Sequence, residues 1–351
     1  MSNKPRRAEE LVYFNAIACL IVIFIHVVSY GIVTVDPTSV QAAIIYFPWL
    51  LAACVVPAFL FSGAVKMGMQ YEENFTLQKY TGYIVGRLKK IYAPYAAWNL
   101  IYYAVFVIMG YYALSATFFL RQMLIGTLSS PFYYIVITMQ FYLLKPVWLW
   151  IMRHIPWYIT IPGALIVTFA SFRLNAILGL FGTSFTYTDR IFTTYLIFWM
   201  IGLYAGRNWD ALTESLVKAR AGIIAAVAAI LGYALVPYAN YRGFWLFETT
   251  DMKIISDCLS IIVLLWICLK LCSAAESIKK ALRFISASSF SVYLSHCLFL
   301  TVAEYFIRHA GLTKISVILV IRFLVCYSFP FALYAITSRL GTWARTKLRA
   351  N

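Results

Sequence analysis

The sequence predicts an all-α, polytopic integral membrane bundle of about ten transmembrane helices. Three observations carry that reading. The 351 residues are 63% hydrophobic and 12% charged, where a soluble domain has about 45–50% apolar and about 25% charged residues. Apolar runs near the roughly 20 residues needed to span a bilayer recur along the chain. The basic residues then cluster between alternate runs, as they do in membrane proteins. The chain reads as a single membrane domain over 1–351, without a soluble domain, a long linker or an internal repeat.

The spans are placed at 11–33, 42–65, 92–112, 131–151, 157–174, 187–206, 220–238, 253–272, 284–305 and 314–338. The first run, LVYFNAIACLIVIFIHVVSYGIV, is longer than the apolar core of a signal peptide and carries polar residues, so it is read as a span. Between the second and third spans lies the best-furnished loop, 66–91, which is rich in basic residues. The stretch 115–130 reads as an interfacial or re-entrant helix with Arg121 and Gln122 on its polar face. An even number of spans puts both termini on one side. With that side cytoplasmic, 21 of the 29 basic residues are cytoplasmic, among them Lys4, Arg6, Arg7, Arg345, Lys347 and Arg349. This asymmetry accounts for the net charge of +16 without nucleic acid. The seven cysteines fall in apolar stretches and form no CxxC pair, which reads as small buried hydrophobes rather than disulfide or metal use.

Four groups stand out from this apolar background. The first is His26 with Asn15. A lipid-buried ionisable group is costly, so it faces a bundle interior or a cavity, and histidine trades a proton near neutral pH. Asn15 lies eleven positions earlier, about 16 Å along a helix and nearly the same direction around it. The pair reads as a general base or acyl carrier in a membrane cavity, or as a structural histidine with Asn15 as interhelical glue. The second group is Arg87, Lys89 and Lys90, just before the third span. In an α-helix Arg87 and Lys90 share a face. They can clamp the phosphates of a cytoplasmic donor or anchor the chain on anionic lipid.

The third group is Ser289, Tyr293 and His296, spaced i, i+4, i+7 on the ninth span, which Glu304 ends near the outer surface. This face either lines a cavity, with His296 as second base, orienter or substrate ligand, or forms an interhelical hydrogen-bond seam. The fourth is Gln140, a mid-membrane amide one heptad from Tyr133, which must bond another helix or a substrate. His154 and His309 fall in predicted loops and read as solvated. No GxSxG, Walker loop, HExxH or glycine-rich dinucleotide turn occurs, and the four histidines have no metal-ligand spacing. These absences argue against an ATP-driven pump and a metal site, and leave a secondary transporter open.

Taken in order, several motifs resemble one family. They are the basic N-terminus, His26 late in the first span, Phe59-Leu60-Phe61-Ser62-Gly63, Arg87-Leu88-Lys89-Lys90 with the following Pro94-Tyr95, Gly202-Leu203-Tyr204-Ala205-Gly206, and Ser289 with Tyr293-Leu294-Ser295-His296. Their order and spacing resemble the acyltransferase-3 family of integral membrane O-acyltransferases, over about residues 10–340. Leu11-Val12-Tyr13 and Met139-Gln140-Phe141 resemble the branch of the intercellular-adhesin membrane protein, which acts on the biofilm polymer poly-N-acetylglucosamine.

The resemblance implies a multi-pass protein of the cell membrane that moves an acyl group, acetyl or succinyl, from cytoplasmic acyl-CoA to a hydroxyl of a cell-surface polysaccharide. Acyl-CoA is then a donor substrate, and no cofactor is permanently bound. The expected partners are the glycan acceptor and the bilayer, with a polysaccharide synthase or a second copy of the chain as further candidates. His26 matches the family's first-span base. Arg87 and Lys90 match its donor-handling pair, with Lys89 beside them. His296 and Tyr293 match its late Tyr/His pair, and with Gln140 and Tyr133 they are expected on the acceptor. One departure stands out: Asn15 occupies the donor-side position where the family usually has arginine, and an amide cannot pair with phosphate as a fixed cation. A glycan or lipid-linked sugar transporter and an inactive partner of a polysaccharide synthase are the competing readings.

Overall fold

The computed structural model describes residues 8–71 and 75–350, with side chains up to residue 340. Lys4, Arg6 and Arg7, part of the 66–91 stretch, and the side chains of Arg345, Lys347 and Arg349 lie outside the described residues. The described residues form helices and no strand. In order these are α1 (Glu9–Thr34), α2 (Val40–Ala52), α3 (Val55–Met69), α4 (Leu77–Arg87), α5 (Ala93–Ile108), α6 (Ala116–Ile125), α7 (Tyr133–Leu143), α8 (Lys145–His154), α9 (Trp157–Phe172), α10 (Leu174–Gly179), α11 (Leu196–Arg207), α12 (Trp209–Lys218), α13 (Arg220–Tyr241), α14 (Thr250–Leu271), α15 (Glu276–His309) and α16 (Ile315–Ala350). A π-helical turn, Leu88–Tyr92, joins α4 to α5.

The all-α membrane class is the predicted one, with slightly fewer spans. Among the described residues seven helices are long and apolar enough to cross a bilayer, or eight if the 57° bent pair Ala116–Ile125 and Ser130–Leu143 counts as one span. That pair includes the stretch expected to be interfacial or re-entrant. The difference from ten has local causes. The expected span 187–206 begins as two 3-10 turns, Thr188–Arg190 and Phe192–Tyr195, which leaves α11 only 12 residues. The expected span 131–151 breaks at Leu144, where Lys145-Pro146 starts α8; proline lacks the N–H that would continue the helix. α9 is apolar but has only 16 residues. Hydropathy sees apolar length and misses these breaks.

Outward faces carry large apolar side chains, including Leu100, Ile108, Ile166, Ile224, Leu235 and Leu324. Such faces suit lipid, where exposed backbone groups are satisfied within each helix. Sequence-encoded caps set the joints: Ser39 accepts the Ala42 N–H at 3.1 Å ahead of α2, and Thr76 accepts the Lys79 N–H at 3.3 Å ahead of α4.

The chain divides into two compact units. The first holds Met1–Val55, Arg220–Phe247 and Ile262–Asn351; the second holds Val56–Ala219 and Glu248–Ile261. In the first unit α1 packs along α15, α16 packs on both, and α2 packs on α1 and α13. Val28, Val35, Ala42 and Ile45 form one of its cores, closed by Phe24, Trp49, Tyr241 and Leu319.

In the second unit α3 and α11 meet through small residues. A Cβ on Gly202 would lie 2.7 Å from the Phe61 carbonyl oxygen, and one on Gly206 or Gly68 would collide with the carbonyl of Val65 or Leu203. Gly202 and Gly206 form a GxxxG spacing that lets two helix backbones touch. Beside them Trp199, fully buried, stacks on Phe141 at 4.3 Å.

Candidate functional site

Two histidines meet in the first unit. His26 on α1 is half-buried and His296 on α15 is fully buried, and their rings lie 5.2 Å apart at 53°. The sequence marked each as a polar outlier on its own helix; packing of α1 against α15 brings them together. Nδ1 of His296 lies 3.0 Å from the Val292 carbonyl oxygen and 2.9 Å from that of Tyr293. Carbonyl oxygens only accept, so Nδ1 carries the proton and Nε2 the lone pair. That Nε2 is buried without a hydrogen-bond partner among the described residues. Tyr293, also buried, holds its ring 6.3 Å from that of His296.

Sequence reasoning missed the residue that braces this pair. Arg322 on α16 is 1% exposed. Its Nε donates to the Val27 carbonyl at 2.7 Å, and Nη2 donates to the His26 carbonyl at 2.6 Å and to Ser29 Oγ at 3.3 Å. Nη1 pairs with Glu304 of α15. Four residues along α16, the Cys326 thiol points at the His296 carbonyl at 3.6 Å, and Tyr327 donates to the Leu20 carbonyl at 2.8 Å. One helix therefore grips the backbone at both histidines. The signal was present in the sequence as an arginine inside the apolar run 314–338, the same kind of outlier as His26. All three guanidinium nitrogens are engaged within the protein, so Arg322 acts as a brace between α16, α1 and α15.

Asn15 lies on the His26 stripe of α1, half-buried, and donates its amide to the Leu11 carbonyl at 2.7 Å. His26, His296 and Cys297 place their nitrogen and sulfur atoms within 4.8 Å of one another, a grouping compact enough to consider for a metal ion. Its charge balance is poor for one. The fixed positive charge of Arg322 acts on both His26 and Cys297, which works against a second cation beside them. An acid–base pair suits these groups better.

Arg87, Lys89, Lys90, Tyr133 and Gln140 belong to the second unit. Pro94 has no N–H to give the Lys90 carbonyl, and a π turn precedes it in which the Ala93 N–H reaches back to Leu88. Five-residue closure changes the rotation per residue, so the i, i+3 geometry of a regular α-helix does not carry over from Arg87 to Lys90. Arg87 is half-buried, with its guanidinium carbon 4.8 Å from the Tyr83 ring centroid and 4.5 Å from that of Tyr142, whereas Lys89 and Lys90 are exposed. Lys145 is buried with its ammonium 4.2 Å from the same Tyr83 ring and 4.4 Å from Phe75. Two cations thus contact one tyrosine ring, and such contacts are worth about 0.5–2 kcal/mol each.

Gln140 uses both ends of its amide on backbone: Nε2 donates to the Arg190 carbonyl at 2.7 Å, and Oε1 accepts from the Phe192 N–H at 3.0 Å. It pins the two 3-10 turns ahead of α11. Tyr133 lies one heptad before it under Arg190, whose guanidinium carbon is 5.8 Å from the ring. His154 and His309 are exposed and bond carbonyls of their own helices, at 2.9 and 2.8 Å.

No curated protein and no solved structure matches the chain. A family match does: the pattern described as an acyltransferase domain covers residues 11–337 and so runs through both units. With a match over nearly its whole length and an all-helical membrane architecture, the chain belongs to the acyltransferase-3 family of membrane acyltransferases.

Proposed function

We propose that this acyltransferase moves an acyl group, acetyl in the first instance, from cytoplasmic acyl-CoA to a hydroxyl of a cell-surface polysaccharide. The observation that carries the reading is the close pair of imidazoles, half-buried His26 and fully buried His296, in a chain of this family. Proton transfer by a positioned side chain typically contributes about 10²–10⁴-fold in rate. A pair held by α16 at its own backbone is positioned in that sense. Arg87, Lys89 and Lys90 are the groups we assign to the phosphates of the donor, with Asn15 hydrogen-bonding an uncharged part of it. Tyr293, Tyr133 and Gln140 are assigned to the acceptor side, Gln140 through the Arg190–Phe192 backbone that it holds. The protein sits in the cell membrane with both termini cytoplasmic, the arrangement that eight spans allow and that the distribution of basic residues favours.

Mass spectrometry of surface glycans from cells with and without the protein tests this directly. The expected result is an added acyl mass on the polysaccharide that disappears with the gene. Unchanged glycan acylation, together with glycan flux in vesicles that contain the protein, would instead establish transport.

A further inference from the structure

The two histidines are not equivalent. His296 is fully buried, and its Nδ1–H is committed to two carbonyls of its own helix, Val292 and Tyr293. That commitment fixes the tautomer and the ring orientation. It also leaves Nε2 as a buried acceptor without a partner among the described residues. A buried polar atom left unbonded is costly, so its retention calls for a group that bonds it. Other buried polar atoms also lack a partner, Trp199 Nε1 among them. That indole is a donor in an aromatic stack; His296 Nε2 is a base facing a second imidazole 5.2 Å away. His26 is half-buried, with its backbone carbonyl held by Arg322 and by Ser29.

We infer that His296, through Nε2, is the group that takes the proton from the acceptor hydroxyl, and that His26 serves the donor side of the reaction. This inference rests on the O-acyl-transfer reading above. In the step, the hydroxyl oxygen forms a bond to the acyl carbonyl carbon while its proton passes to His296 Nε2. The carbon–sulfur bond of the thioester breaks, and the sulfur of coenzyme A leaves with the electron pair. The proton on Nε2 then passes to that thiolate, and His296 returns to its neutral form. Throughout, Nδ1–H stays on the Val292 and Tyr293 carbonyls, whose dipoles favour the imidazolium while it lasts.

The test separates the acceptor's need for a base from chemistry at the donor. Full-length protein in lipid vesicles is given acetyl-CoA with either an N-acetylglucosamine oligomer or hydroxylamine as acceptor. Hydroxylamine attacks as a neutral amine and needs no proton removed beforehand. The variants are H296N, whose amide can keep the contact to the backbone carbonyls, and H296Q. Binding of labelled acetyl-CoA and the unfolding temperature report whether each is folded. The expected result is a fall of about 10²–10⁴-fold in transfer to the glycan, with transfer to hydroxylamine within tenfold of the parent protein. The H26Q protein is expected to lose both. Two outcomes overturn the inference: glycan transfer that survives in folded H296N or H296Q, or equal loss to both acceptors in those folded variants. A parent protein that acylates neither acceptor overturns the O-acyl-transfer reading itself, and the inference with it.

Discussion

The two candidate clusters, one in each unit, differ in what chiefly holds their polar side chains. In the first, imidazole and guanidinium groups are tied to helix backbone: Arg322 to the carbonyls of His26 and Val27, and His296 to those of Val292 and Tyr293. In the second, cations lie on aromatic faces, Arg87 over Tyr83 and Tyr142 and Lys145 over Tyr83 and Phe75. Hydrogen bonds to backbone are directional and fix a ring or a helix position, which suits proton transfer. Cation–π contacts are tolerant of angle and leave N–H donors of a guanidinium available, which suits a site that must receive and release a charged ligand. That difference is in keeping with the proposal above, which gives the chemistry to the histidine pair and the donor phosphates to the Arg87 cluster.

The largest effect that can break this contrast is at Arg322. Replacing it by methionine leaves Glu304 without its cation and removes the grip on α1, and the expected cost is about 3–5 kcal/mol in stability. Thermal unfolding in detergent measures it. The double variant with Glu304→Gln should recover part of the loss, because no uncompensated charge remains. A single variant as stable as the parent would show that the brace is idle.

Arg87→Gln comes next. If this guanidinium binds donor phosphate through charge-assisted hydrogen bonds, the loss is about 1.5–3 kcal/mol, seen as a KM for acyl-CoA raised by roughly tenfold or more with a small change in kcat. A change confined to kcat would move Arg87 out of donor binding. Gly206→Val addresses the second unit's fold alone. The added side chain meets the Val65 carbonyl, and overpacking of this kind costs about 1–3 kcal/mol. The expected result is a lower unfolding temperature with an unchanged KM in the protein that remains folded.

The smallest effect is shared by the two units, which makes it a control. Asp36 in the first unit and Glu248 in the second are loop carboxylates held below their usual pKa. Thr38 lowers Asp36 through its backbone N–H and hydroxyl, and Thr250 lowers Glu248 through its hydroxyl and backbone N–H. A depressed folded pKa stabilises the loop above the unfolded value and loses that contribution as pH falls through the folded one. Hydrogen exchange at Thr38 and Thr250 should therefore quicken at both loops as pH drops below about 4, after correction for the intrinsic rate. Quickening at one loop only would show that these turns are not held by their carboxylates.

Much of the site was legible because polarity inside an apolar run is conspicuous. His26, Asn15, Gln140 and His296 all announced themselves that way. Arg322 carried the same signal inside the apolar run 314–338 but was not among the residues singled out. Its partners Glu304 and the His26 carbonyl lie 18 and 296 positions away, so only packing discloses the brace. The glycines of Gly202-Leu203-Tyr204-Ala205-Gly206 served as a family marker; the structure supplies their reason, a backbone-to-backbone approach to α3. The span count was less legible. The turns at Thr188–Arg190 and Phe192–Tyr195 are held by Gln140 from another helix, and hydropathy averages over such breaks.

The central claim is that the imidazole pair of α1 and α15 carries acyl transfer. Its most direct test is the rate at which labelled acetyl passes from acetyl-CoA to an N-acetylglucosamine oligomer, for the parent protein and for His26→Ala in the same vesicles. The account predicts a fall of about 10²–10⁴-fold with the unfolding temperature preserved. A folded His26→Ala protein that transfers acetyl at the parent rate would contradict it.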